Sequence, residues 1–389
     1  MADPNSRIFY ACQAVGIADM GHAGTAGGST LASSGWATDK MVHGVQAVGT
    51  TTTFNPEQAF ELGQVEIYEN VEGTPDVELT LSKIIDGYPL IYHMATTGVA
   101  GALAAGSGLV NRSKQRCDVR IGIFPEENNN VAGAADAAQV EVFCSGMFVS
   151  SIGYTFPVDG FAEESVTFVG NNKQWLTTDA GGRKLQSLSV ANFDGDDSPL
   201  ALGIPTSPSG GVQRREDFLM QHCIIPASVR GVIGTGVGNG LNAHDSTFNP
   251  ASGNAVHLQN VSINTDFSRE DILELGRKTP YYRPANFPIE VTCEIEAVTT
   301  SGDFVFAYEE GNPALYTSTS SGDNTSEENI FIRLRGGHAW DLGAKNRLTS
   351  VSYGGGDATG GNVTTSYSYT NFNDLDVQFE GDYIGFNSI

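Results

Sequence analysis

Apolar residues fall at every second position through much of this chain. Asp76 to Leu81 and Ile289 to Ile295 alternate apolar and polar side chains, and Leu375 to Phe379 does the same. In an extended strand such alternation sends one set of side chains to a core and the other to the opposite face. Val140 to Phe143, Phe331 to Leu334 and Val363 to Tyr369 are further runs of β-formers. With 47 glycines punctuating these runs, the pattern predicts an all-β fold, a mainly antiparallel sandwich or partly closed barrel. Two short segments break the alternation and read as helices. Asn55 suits an N-cap, Pro56 the first helical position and Gly63 the residue just past the end; Ser268, Asp271 and Gly276 give the same signals later on. About seven residues cannot hold a helix alone. Each segment is therefore expected to dock on its sheet, through Phe60 and Leu62 in one and Ile272 and Leu275 in the other.

These two segments belong to a longer repeat. A constant shift of 213 lays Gln46 to Pro75 over Gln259 to Pro288, with ten identical pairs and no gap. Among them are Gln46 with Gln259, Phe54 with Phe267, Gly63 with Gly276 and Tyr68 with Tyr281. A one-residue gap then pairs Glu78 to Thr80 with Glu290 to Thr292, and Val166, Phe168 and Gly170 match Val377, Phe379 and Gly381 at a shift of 211. The repeat unit is a whole domain of about 190 residues. The chain is read as two tandem homologous domains, 1–193 and 212–389, each with its own core and one short helix. A linker at 194–211 carries Asp194, Asp196, Asp197, Pro199, Pro205 and Pro208. Two fused copies suit a symmetric assembly.

Charge sharpens the picture. Against 21 basic residues stand 45 acidic ones, a net charge of −24, spread along the chain. Such a surface repels nucleic acid. Cys12, Cys117, Cys144, Cys223 and Cys293 are odd in number and scattered, which argues against a disulfide framework or zinc site and for synthesis in a reducing cytoplasm. The apolar run Gly98 to Val110 is too short to span a bilayer, and the first residues lack the pattern of a secretory signal.

No catalytic signature emerges, and no cofactor or metal is expected. Gly234 to Gly240 lacks the lysine and helix of a phosphate loop, and Asp194, Asp196 and Asp197 lack the rest of a calcium loop. His22, His43, His93, His222, His244, His257 and His338 show no ligand spacing. Glycine-rich stretches at Gly21 to Gly35 and Gly231 to Gly253 read as long functional or plain surface loops, and Thr96 to Gln115 as irregular. Arg277, Lys278 and Arg283 with Tyr281 and Tyr282 form the one local basic-aromatic cluster. It reads as a contact to a neighbouring subunit's carboxylates or as a solvated turn. Trp36, Trp175 and Trp340 could stack on sugars in a two-module adhesin, but they share no repeat shift.

Leu258 to Asn264, Ser268 to Gly276 and Tyr281 to Thr292, with their first-copy counterparts Val45 to Val48, Asn55 to Gly63 and Pro75 to Thr80, resemble tail tube proteins of long-tailed bacteriophages. The resemblance covers most of both copies in outline. It implies a non-enzymatic virion protein of the tail, made in the host cytoplasm, whose domains assemble into stacked hollow rings through which genomic DNA passes without tight binding. A duplicated domain would make a pseudo-sixfold ring from three chains, with a ring of six chains as the alternative. Other tail proteins (sheath, terminator, baseplate or tip) are the implied partners. Within this resemblance Asp76, Glu78, Glu290, Glu294 and Glu296 are candidate lumen acids, or else face outward. The Gly21 to Gly35 and Gly231 to Gly253 loops are candidates for ring stacking. A decoration or capsid protein is the competing virion reading.

Overall fold

The computed structural model describes residues 8, 10–19, 40–63, 65–97, 107–124, 140–176, 211–218, 223, 225–226, 229, 257–298, 327–354 and 361–379. The strands are β1 (Gln13–Asp19), β2 (Lys40–Met41), β3 (Val45–Thr53), β4 (Glu57–Phe60), β5 (Ile67–Val71), β6 (Asp76–Ile84), β7 (Ser107–Gly108), β8 (Cys117–Ile123), β9 (Val140–Pro157), β10 (Glu163–Gly170), β11 (Asn172–Leu176), β12 (His257–Asp266), β13 (Glu290–Val298), β14 (Phe331–Arg333), β15 (His338–Asp341), β16 (Arg347–Gly354), β17 (Thr364–Phe372) and β18 (Asp376–Phe379). The helices are α1 (Ile91–Thr97) and α2 (Leu109–Arg112). The fold is all-β, as the alternation predicts. The loops from Gly21 to Gly35 and Gly231 to Gly253 and residues 194–210 of the linker lie outside the described residues.

A 12-stranded sheet carries the architecture along the path β16-β17-β13-β12-β9-β10-β6-β3, every neighbour antiparallel. The first-half strands take the order β3-β6-β10-β9 and the second-half strands repeat it as β12-β13-β17-β16. The two quartets meet where β9 pairs with β12. Their irregularities also coincide. Gln46 is skipped where β3 pairs with β6, and Gln259 where β12 pairs with β13. Ser150 is skipped between β10 and β9, and Thr349 between β17 and β16. A bulge adds one residue to a strand and bends it. Its recurrence at the same strand positions fixes equivalences along each pair of strands: a shift of 213 from β3 to β12, anchored by Gln46 and Gln259, and of 199 from β9 to β16, anchored by Ser150 and Thr349.

Three sequence expectations are corrected. Val48 pairs with Leu81 and Val261 with Ile295, so β6 lies on β13 two residues away from the one-gap alignment. That even slip leaves the faces unchanged, which is why alternation did not reveal it. The ladder equivalent of β10 is β17, not β18, so the Val166 to Gly170 match with Val377 to Gly381 does not join like strands; β18 lies in a four-stranded sheet, β14-β15-β18-β7. Finally, the capped helices are absent. Glu57–Phe60 pairs with Ile67–Val71 as a hairpin, and the second segment folds the same way, with Ile272 bridging Tyr282 as Ala59 pairs with Glu69. Gly63 and Gly276 have φ of 96° and 89° and turn the hairpin tips rather than ending helices. Asn55 caps nothing; its Nδ2 donates to Asp76 Oδ2 at 2.9 Å. Of the helices that do form, α2 falls inside the Thr96 to Gln115 stretch read as irregular, and α1 precedes it, ending at Thr97.

The two halves share one core rather than holding two. Val77, Leu79, Val166 and Phe168 join Val261, Ile263, Cys293 and Tyr369 in a single buried cluster. Trp340 sits wholly buried in it, edge-on to Tyr154 at 5.2 Å and Phe156 at 4.9 Å, so it offers no sugar platform. The buried Glu164 accepts hydrogen bonds from the backbone N–H groups of Ile91 (2.6 Å) and Tyr92 (3.0 Å), which begin α1. Burial pushes its carboxyl up to about 7, against those two donors and Lys83. The folded chain thus holds this proton more tightly than the unfolded chain, where the group titrates near 4.5. Its stabilising effect is fully present below about pH 4.5 and is lost as pH rises through about 7. The unfolding free-energy difference between wild type and Glu164→Gln should therefore shrink from pH 4.5 to 7 in urea titrations. A pH-independent difference would show that the carboxyl stays ionised. His43, His93 and His338, held down to about 4 chiefly by burial, are common to both proteins and cancel in the comparison.

Candidate functional site

The eight-strand path has two unlike faces because its side chains alternate. On β6, Val77, Leu79 and Leu81 are buried while Asp76, Glu78 and Thr80 are exposed. On β13, Val291, Cys293 and Ile295 are buried, and Glu290, Thr292, Glu294 and Glu296 alternate with them. The ladder carries this phase across strands, pairing Glu78 with Val169 and Thr51, and Glu294 with Ser262 and Ser368. All five sequence-predicted acids thus lie on one face of one sheet, opposite the core. Glu163 and Asp266 share that face, with serine, threonine and asparagine between them. Arg347, at the start of β16, is the base that enters this face among the described strand residues.

The centre of the face is an open concavity of about 680 Å³ over the β9–β12 junction, with Gly153, Ser165, Asn264, Asp266, Glu290 and Phe372 in its wall. Gly153 lies close under two of these side chains: a Cβ would stand 2.8 Å from both Asn264 Oδ1 and Ser165 Oγ, and those side chains would have to shift. The surface is open, with Asp266 and Glu290 as its acids and Phe287, Pro288 and Phe372 as apolar lining. It offers a polyanion no cationic clamp, and no group of His, Cys, Asp and Glu among the described residues could hold a metal ion. Of the histidines, His93 and His338 are buried and His43 stacks on Tyr88 at 4.0 Å. The cysteines are buried thiols.

The basic cluster finds acids, but within its own chain. Arg283 Nη2 donates to Asp76 Oδ1 at 2.7 Å and to Asp271 Oδ2 at 2.8 Å, and Lys278 lies 3.6 Å from Glu72. Thr74 Oγ1 also donates to the Lys278 carbonyl. Arg277 stays on its own hairpin, 3.1 Å from Glu274 and over the Tyr281 ring. Through these contacts Lys278 and Arg283 join the second half to the first. Asp76 is consequently a paired acid at the margin of the face rather than an open one.

The two hairpins are the functional candidates that the sequence reading missed. Both project with apolar tips, Leu62 at 102% and Leu275 at 103% relative exposure. Val65, Ile67 and Tyr68 on the first, and Leu273 and Tyr281 on the second, are exposed as well. The readable signal was the β-rich return segment after each glycine, Val65 to Val71, which a helix would have left without a partner.

No protein-family model matches the chain, and neither does any curated protein. Solved structures do match. A chain of the anti-feeding prophage cap, its tube terminating cap, is similar at 15% identity and a TM-score of 0.29, over 46% of this chain and 96% of that one. A chain of the anti-feeding prophage baseplate is similar at 11% identity and a TM-score of 0.29, over 45% of this chain and 97% of that one. No described helix is long and apolar enough to cross a membrane.

Proposed function

We propose that this chain is a non-enzymatic structural subunit of a phage-tail-like assembly, and more finely that three copies close a pseudo-sixfold ring of a hollow tube. The observation that carries this reading is the repeated strand order within one sheet. β3-β6-β10-β9 and β12-β13-β17-β16 stand side by side as consecutive blocks of a single wall. An arc of two like blocks, repeated by a threefold axis, gives six equivalent blocks around a lumen. The acidic face is then the lumen wall, with Glu78, Glu290, Glu294 and Glu296 exposed or half-exposed on it. Three chains would bring three times the net charge of −24. A polyanion passing through such a wall is repelled on every side and does not adhere. Leu62 and Leu275, on the projecting hairpins, are the apolar surfaces through which rings would stack.

Negative-stain electron microscopy of the purified chain, with mass photometry of the particles, tests the ring. Hollow rings of three chains are expected; rings of six chains or a monomer at every concentration would overturn this reading. The lumen assignment has its own test. Glu294→Lys with Glu296→Lys should leave rings intact while converting particles that ignore DNA into particles that retain it at low salt, with retention falling steeply as salt is raised. Unchanged DNA retention in intact rings would remove these acids from the lumen.

A further inference from the structure

Among the described strands the wall ends in two edge strands, β16 on one side and β3 on the other. Natural proteins usually protect such edges with charge, proline or a cover. Val45–Thr53 carries no charged residue or proline, and within β16 nothing after Arg347 does either. The interior of the same chain shows what these edges accept, because β16 is the equivalent of β9 and β3 the equivalent of β12. We propose that β16 of one chain pairs antiparallel with β3 of a second copy, in the register that β9 uses on β12. Carried over through the bulges, Tyr154↔Ile263, Gly153↔Asn264 and Ile152↔Thr265 become Tyr353↔Thr50, Ser352↔Thr51 and Val351↔Thr52 between chains.

Three independent features fit this joint. The faces agree: Val351 and Tyr353 meet Thr52 and Thr50 on the core side, and Ser352 meets Thr51 on the open side, so neither face is interrupted. Equivalent side chains also differ in burial in the required sense. Phe267 and Tyr154, at the internal junction, are 0% exposed, whereas Phe54 is 73% and Tyr353 is 52% exposed. Phe267 donates its N–H to the carbonyl of the bulge residue Ser150 at 2.8 Å; the N–H of Phe54 would meet the carbonyl of Thr349 in the next chain. Lastly, Phe148 meets Tyr282 edge-on at 6.0 Å across the internal junction. Their equivalents at the edges are Arg347 and Glu69, opposite charges that the joint would place at the corresponding positions.

The joint deepens the ring reading and rests on it only for the number of chains. Its test is cysteine cross-linking in the full chain with Thr51→Cys and Ser352→Cys together, the native thiols being buried. Seven strand spacings, roughly 34 Å along the sheet, separate the two positions within one chain, so a short thiol bridge reports a partner. Cross-linked species ending at three chains are expected, and pairing Thr51→Cys with Ser350→Cys or Gly354→Cys should give clearly less product. Preferred bridging at either of those positions would overturn the register. Rings seen by microscopy without cross-linking would overturn the joint and leave the ring standing, and a monomer at every concentration would also overturn the joint. Cross-linked chains in open filaments would keep the joint and overturn the ring. Phe54→Ala should leave the monomer's thermal midpoint unchanged and raise the concentration needed for assembly by about tenfold or more; unaltered assembly would count against the proposed seat for Phe54.

Discussion

Phe267→Ala is expected to destabilise the chain by about 3–5 kcal/mol, a large part of the total stability of an ordinary protein. The ring of Phe267 is fully buried, 6.3 Å from the Tyr92 ring on α1 and beneath the Arg269 guanidinium. Its own backbone is held from both sides, since its N–H reaches Ser150 and its carbonyl accepts from Asn286 at 3.1 Å. The surrounding backbone cannot collapse into the space left by the ring, so the cavity cost adds to the lost transfer energy. Urea unfolding followed by tryptophan fluorescence reads the effect directly, because Trp340 lies in the same buried cluster. A loss below about 1 kcal/mol would mean that the junction relaxes, and would weaken the argument that equivalent phenylalanines need equivalent seats.

Arg269→Met is expected to cost about 3–5 kcal/mol by the same measurement, as removal of one member of a buried polar network usually does. The guanidinium donates to three carbonyls from separate parts of the chain: Val149 (2.6 Å), Ser113 (2.6 Å) and Arg283 (2.9 Å). It therefore binds the bulged strand β9, the end of α2 and the base of the second hairpin in one contact. Burial lowers its pKa to about 10, so it remains charged at neutral pH. Methionine preserves much of the packing over Phe148 and Phe267 but leaves three buried acceptors without their donor. Lysine should rescue little, because a single ammonium cannot present the planar fork that reaches all three carbonyls. Full rescue by Arg269→Lys would show that the charge, and not the fork, holds the junction.

The position equivalent to Arg269 in the first half is Pro56, and those equivalent to Lys278 and Arg283 are Val65 and Asn70. The two halves thus differ at the junction. Inside the chain it is fixed by buried cations and salt bridges. At the edges the proposed joint would rely on exposed aromatic and threonine side chains, with Glu69 and Arg347 as the opposite charges it would bring together. A permanent joint gains from buried pairing, whereas a surface that must stay in water before assembly cannot carry unpaired buried charge.

The sequence alone determined the faces of the alternating strands, such as β6 and β13, because these depend on spacing. Alternation with a period of two assigns Glu78 and Glu294 to one side and Leu79 and Cys293 to the other, whatever the strands pair with. Identities at a constant shift of 213 gave the true equivalence of Gln46 with Gln259 and of Phe54 with Phe267. Glycine after a short polar segment was ambiguous, since a left-handed residue ends a helix as readily as it turns a hairpin. Only pairing with Ile67–Val71 decided for the hairpin at Gly63. Tertiary structure also decided that β17 rather than β18 matches β10, that the halves share a core, and that Lys278 and Arg283 serve the junction within the chain. Each of these is a contact between residues far apart in the chain, chosen by which edges and charges meet in space, and local spacing carries no record of that choice.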